Sequence, residues 1–228
     1  MLTFVCGKCE KAKLTKRCFD PHIEFIHYSK KYDFLPQLHF PGKDPLEDIY
    51  ETKLLGVTLT SNLTWTAHVN DITRRATGKL WVLVRFKSLG GSRDQLLKVY
   101  QTCVRSTMEF AAPVFNSGLT QEQSRQIEMV QKKAFAVILG QQYNSYETAL
   151  STLNQERLDK RRLDLSYKFA LKCTQSDRHS SMIPPNPNFR PNMRYPKPFK
   201  EYLCHTSRYF SSLIPALARL LNKQSRKP

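Results

Sequence analysis

The feature that most constrains this chain is a succession of three amphipathic patterns between Thr66 and Gly140, each punctuated by capping residues or glycine. From Thr66 to Leu89, Val69, Ile72, Ala76, Leu80 and Leu83 recur at steps of three or four, which is one face of a helix, and Gly90-Gly91 stops it. Ser92 with Gln95 forms a capping-box pair that opens a second helix through Leu96, Tyr100, Val104, Met108 and Ala111. Pro113 should end or kink that helix. Thr120 with Gln123 repeats the box and starts a third, through Ile127, Val130, Ala134 and Ile138, with Gly140 at the closing position. Ser145–Leu153 and Leu158–Thr174 read as a fourth and a fifth helix, the last with Leu165, Phe169 and Cys173 inward. Apolar faces of this kind must be buried against each other, so the region predicts a helical bundle.

The flanks differ in texture. Residues 1–22 form a basic, Cys-bearing leader, and residues 23–60 carry β signals: IEFIHY at 23–28, an extended piece at Leu35–Phe40 before the Pro41-Gly42 turn, and an edge piece at Leu46–Tyr50. KLLGVTLT, Lys53–Thr60, reads as a single strand. From Ser176 the chain turns proline-rich, with Pro184, Pro185, Pro187, Pro191, Pro196 and Pro198 set among basic residues, so that no helix or central strand survives there. The expected fold is α+β and mostly α. A small antiparallel β element (23–60) packs on a bundle of four or five helices (61–175), followed by an extended basic tail (176–228) with a terminal helix over Ser212–Asn222.

A chain of 228 residues is long enough to bury a core, and no apolar run reaches the ~20 residues of a membrane span. The N-terminus lacks a long apolar stretch and a small-residue cleavage site, so a nuclear or cytoplasmic, non-secreted protein with reduced cysteines is expected. Thirty-six Lys and Arg against 19 Asp and Glu leave a net charge of +17, concentrated at the two ends. That balance favours a polyanionic partner, nucleic acid ahead of an anionic membrane, against the plainer reading of basic tails on an ordinary protein.

Enzymatic chemistry finds little support. Polymerases and many nucleases hold divalent metal between clustered carboxylates, and this sequence has neither adjacent Asp residues nor an Asp-x-Asp. Its acids lie singly among Lys and Arg, as in Glu156–Arg162, and read as solvated charge. No phosphate-cradling glycine loop and no nucleophile motif is present, and no cofactor is expected. Cys6, Cys9, Cys18 and His22 are a chemically legitimate zinc set, but their spacing matches no standard finger, and chance cysteines in a basic leader explain them as well. Arg74, Arg75, Lys79, Arg85 and Lys87 lie on or beside the polar face of the first helix near Trp65 and Trp81. They suit a phosphate track or a solvated face equally, whereas Trp81, next to Leu80, is expected in the core.

The run KLLGVTLTSNLTWTAHV (53–69) resembles the segment that follows the catalytic palm in reverse transcriptases of LINE-type, non-LTR retrotransposons. The resemblance continues through 73–115, where Arg105-Ser106, Glu109, Val114 and Phe115 match a family helix, and through 119–173. It implies a primer-grip hairpin at Leu54, Leu55, Gly56 and Val57, followed by a thumb that holds an A-like RNA–DNA duplex by shape and phosphate contacts. Gly56 would let the backbone approach a nucleic-acid strand closely. The palm with its metal-binding Asp motif, the fingers and the endonuclease domain of such proteins find no match in this sequence. The resemblance therefore implies a polymerase fragment without polymerase activity of its own, for which palm and fingers would be packing partners. The expected partners are RNA, DNA or RNA–DNA duplex, bound without sequence preference through the hairpin, through Arg74, Arg75 and Lys79, and through Arg190, Arg194, Lys197 and Lys200 of the tail. The alternative is a helical protein–protein interaction module with no nucleic-acid function.

Overall fold

The computed structural model describes residues 49–190 and 195–225. The stretch 23–48, the cysteine leader and Arg194 lie outside the described residues, and with them the readings made for those positions. The rest is mostly helical with a two-stranded antiparallel sheet, the α+β, mostly α class that the patterning predicts. It divides into two compact units, meeting between Thr64 and Trp65.

In the first unit, β1 (Glu51–Leu54) pairs with β2 (Val57–Thr60), with Glu51 opposite Thr60 and Leu54 opposite Val57. Lys53–Thr60 is therefore not one strand but the two arms of a hairpin. The turn was hidden because its first residue is Leu55 rather than the Asn or Asp that usually marks a two-residue loop. At the open end, the Asn62 amide donates to Tyr50 Oη at 2.9 Å, and the Ser61 N–H donates to the Tyr50 carbonyl at 2.8 Å.

The second unit starts with α1 (Thr66–Ser88), which buries Val69, Ile72, Ala76, Leu80 and Leu83 as the periodicity requires. Next come α2 (Arg93–Val99), a π turn (Tyr100–Arg105) and α3 (Ser106–Glu109), in direct succession. Leu96, Tyr100, Val104 and Met108 are all buried along it. Steps of four drift by about 40° each on a 3.6-residue helix, and the wider π turn takes up that drift. The helix breaks at Phe110 and Ala111, Ala111 at φ 54°, just ahead of α4 (Ala112–Phe115). A continuous helix would drive the Pro113 ring into the Glu109 carbonyl, so the break falls before the proline.

Both capping boxes form. The Ser92 hydroxyl accepts the Gln95 N–H while the Gln95 side chain accepts the Ser92 N–H at 2.9 Å, and Thr120 with Gln123 does the same for α5 (Gln121–Leu139). Gly140 closes α5 at φ 58°, ψ −122°, a conformation only glycine adopts readily. The Lys87 ammonium reaches over it to the Val137 carbonyl at 2.5 Å. α6 (Tyr146–Thr152) and α7 (Leu158–Gln175) complete the bundle.

The acids are not all solvated, as their sequence setting had suggested, and polar residues of α5 are buried with them. Glu128 is buried and accepts hydrogen bonds from the Tyr146 hydroxyl and, at 3.2 Å, from the Leu158 N–H that opens α7. Gln131 accepts from the Tyr100 hydroxyl at 2.6 Å and donates to the Glu156 carbonyl at 2.9 Å. Arg162, 1% exposed, donates to Asn116 Oδ1 at 3.2 Å and to Ser124 Oγ at 2.8 Å. Burial lowers the pKa of its guanidinium, and the carboxylates of Glu128, Asp159 and Glu109 oppose that shift.

Among the described residues, the proline-rich stretch lacks regular strands and holds a 3₁₀ turn at Ser180–Met182, yet it is tied down rather than free. Pro185 bridges Phe199, and the Lys200 N–H donates to the Pro184 carbonyl at 3.0 Å. The terminal helix appears where expected, as α9 (Leu213–Gln224), after a short α8 (Ser207–Phe210). Ile183, Leu217, Ala218 and Leu221 build a second core on Ala170 and Cys173 of α7. Asn222, fully buried, accepts the Phe199 N–H and donates to the Phe199 carbonyl, both at 3.0 Å.

Two measurements check this packing. Burial pushes the Tyr100 hydroxyl far above its ordinary value near 10, and burial with the Glu128 hydrogen bond does the same to Tyr146. Their contribution to stability is complete below the unfolded value near 10 and is lost as pH rises through it, since only the unfolded chain then ionises freely. Alkaline ultraviolet titration should therefore leave these two unionised above pH ~10 until the chain unfolds. Asn222→Ala strands the Phe199 N–H and carbonyl and should cost about 1–3 kcal/mol, with faster amide exchange at Phe199. An unchanged exchange rate there would contradict the clamp.

Candidate nucleic-acid interface

The hairpin tip is the first of the predicted sites. Leu55 and Gly56 form its two-residue turn with φ of 48° and 83°. Positive φ at both positions matches the twist of the strands, and Gly56 adopts it at no steric cost. Leu55 does not, because a bulky side chain at positive φ is strained by about 1–2 kcal/mol. Its side chain is 88% exposed and Leu54 is exposed beside it, while Val57 is buried. The tip thus displays two apolar side chains on a backbone that one of them disfavours.

On α1 the predicted basic residues are distributed unevenly. Arg74 and Arg75 share one carboxylate, each 3.1 Å from an oxygen of Asp71, with Arg74 the more exposed. Lys79 donates to Thr107 Oγ1 at 2.7 Å, and Thr107 in turn donates to the Cys103 carbonyl. Lys79 is therefore a strut between α1 and α3 more than a free phosphate ligand. Arg85, outside the first-choice set of site residues, is exposed, and its guanidinium has no ion-pair partner among the described residues.

Trp81 lies 69% exposed, against the expectation of a core residue. Adjacent positions on a helix are about 100° apart, so Leu80 can be buried while Trp81 points away. Trp65 is the tryptophan that packs, edge-on to His68 at 6.0 Å and 6.2 Å from the Phe115 ring. Arg105 and Glu109 pair at 3.7 Å, and Arg161 of α7 closes on the same carboxylate at 2.5 Å. The three side chains form a brace that ties the π turn and α3 to α7.

In the C-terminal stretch, Arg190, Lys197 and Lys200 are all exposed. Lys197 pairs with Glu201 at 2.7 Å. The Asn186 N–H donates to the Pro198 carbonyl, so Arg190 sits on a loop closed at its base and not on a trailing segment. Cys6, Cys9, Cys18 and His22 lie outside the described residues. Among the described residues, no group of three or more His, Cys, Asp or Glu could hold a metal, and no helix is long and apolar enough to cross a membrane.

The strain at the tip gives a direct test. Leu55→Asn places at the first turn position a residue that tolerates positive φ, and should stabilise the hairpin by about 1 kcal/mol. Amide exchange in β2 should slow roughly fivefold; faster exchange would mean that Leu55 is not strained. No family model matches this chain, and no curated protein or solved structure does either.

Proposed function

We propose that this chain is a reverse-transcriptase-derived, thumb-like module that binds RNA or RNA–DNA duplex through the backbone, without sequence preference and without polymerase activity of its own. The observation that carries the reading is the hairpin tip. Backbone strain that persists at an exposed position is characteristic of binding sites, because the fold alone would favour a different residue. Leu54 to Val57 occupy the place that the resemblance to LINE-type reverse transcriptases assigns to a primer grip. The exposed cations of α1 and of the closed C-terminal loop supply the positive charge that a phosphate backbone needs. Duplex is the favoured ligand because fixed cations on a rigid helix suit a partner of fixed geometry.

A second reading, a protein-binding helical module, is favoured by the exposed apolar residues Trp81, Val84 and Leu89 on and beside α1.

The two separate in a salt titration of the full chain with labelled RNA–DNA hybrid. Affinity should fall steeply with salt, each neutralised phosphate adding roughly −0.7 to −0.9 to the log–log slope. Arg75→Gln should weaken hybrid more than single strand, whereas Arg190→Gln with Lys200→Gln should weaken all nucleic acids alike. Primer extension by the purified chain with Mg²⁺ or Mn²⁺ should be nil. No binding at about 50 mM salt would leave the protein-binding module as the better reading, and authentic template-directed extension would overturn the non-polymerase half.

A further inference from the structure

Two features of α1 are unexplained by its own packing. Trp81 is exposed on a helix whose buried stripe is complete without it. Gly78, one turn earlier, sits in mid-helix with nothing within 4 Å of where a Cβ would stand. Other glycines have steric reasons: a Cβ at Gly118 would lie 2.3 Å from Trp65 Nε1, and one at Gly91 would lie 2.6 Å from the Phe86 ring. A helical glycine costs about 1 kcal/mol relative to alanine, and here the fold gains nothing in exchange.

Helix geometry aligns both features with two cations. Arg74 lies seven residues before Trp81 and Arg85 four after it, within about 40° around the axis. The stripe from Arg74 to Arg85 is about 16 Å long, the length of roughly five stacked nucleotides at ~3.4 Å each. Helical side chains lean toward the N-terminus, so Trp81 inclines toward the Gly78 turn, where the space that a Cβ would meet is open. The single carboxylate of α1, on Asp71, is shared by Arg74 and Arg75 at one end of the stripe, and no acid lies between Arg74 and Arg85 in the sequence.

We propose that this stripe is a stacking platform for unpaired nucleotides, with a base lying on the Trp81 indole beside Gly78 and with Arg74 and Arg85 on the flanking phosphates. The inference rests on the nucleic-acid reading above and goes beyond it, because the ligand is single-stranded. Within a duplex each base face is covered by its neighbours, and only an unpaired base offers a face to an indole. Cations at both ends favour a polyanion over an apolar protein surface, which would desolvate both arginines and leave Arg85 without a charged partner.

The chain has two tryptophans, so its own fluorescence reports the event. Oligo(dT) of about ten nucleotides, titrated into the full chain, should quench the exposed tryptophan saturably and salt-dependently. Trp81→Ala, at an exposed position, should leave the helical circular dichroism intact. It should abolish the quench and weaken oligo(dT) binding about tenfold or more, with hybrid affinity within about twofold. Trp81→Phe should recover most of the affinity, and Gly78→Gln should lose it by filling the notch. If Trp81→Ala binds oligo(dT) as well as the parent, or loses hybrid to the same degree, the platform is refuted while duplex binding stands. A Trp81-dependent dimer formed without nucleic acid would also refute it and assign the face to a second copy. Binding to neither nucleic acid would overturn both this inference and the nucleic-acid reading.

Discussion

The helical unit is organised by the polar side chains buried along α5. Glu128 and Gln131 sit one turn apart in an otherwise apolar interface, and each must find partners or cost the fold its desolvation. Glu128 finds the Tyr146 hydroxyl and the first free N–H of α7, and Gln131 finds the Tyr100 hydroxyl and the Glu156 carbonyl. Four elements are thereby held at one level of one helix: the π turn, α6, the loop before α7, and α7 itself. Apolar packing alone would permit sliding among near-equivalent arrangements, whereas directional bonds to two fixed residues allow a single register. Arg162 and the Arg105–Glu109–Arg161 brace extend the same arrangement to α3 and the break after it.

Such a framework explains why α1 can hold an exposed Trp and a mid-helix glycine. Its inner face is locked by Val69 to Leu83 and by Lys79 and Lys87, which donate respectively to Thr107 and to the end of α5. The outer face is then under no structural demand. Local weaknesses on a helix so anchored do not unfold it, and that leaves the outward residues open to other roles.

Helix limits were legible because their signals are local: Ser92 with Gln95, Thr120 with Gln123 and Gly140 act on backbone groups within one turn. Residue patterning by itself missed the hairpin, because Leu55 in its turn contradicts the usual turn chemistry while leaving the alternation of a strand intact. Glu128, Gln131 and Arg162 look like surface residues in sequence, and only the convergence of α5, α6 and α7 makes them interior. The same holds for Glu109, whose partner Arg161 lies 52 residues away. Trp81 misled for the opposite reason, since adjacency to a buried Leu80 says nothing about a position a quarter-turn around the helix. Proline density correctly excluded helix from the described residues between 184 and 198 but could not reveal that Asn222 reaches back to fasten Phe199.

That fastening makes α7 a helix shared between two cores, with Leu158 facing the bundle and Ala170 with Cys173 facing the terminal segment. The consequence concerns the order of assembly. Contacts among α1 to α7, of which α1 on α5 is the most extensive, lie within residues 66–175 and can form as the chain emerges, N-terminus first. The second core needs residues from the last turns of α9, so the far half of α7 stays uncovered until α9 has been made. During that interval an apolar strip around Ala170 and Cys173 faces water on an already folded bundle. The nascent protein is then at its most adhesive, and the closing of the terminal segment is what ends that state.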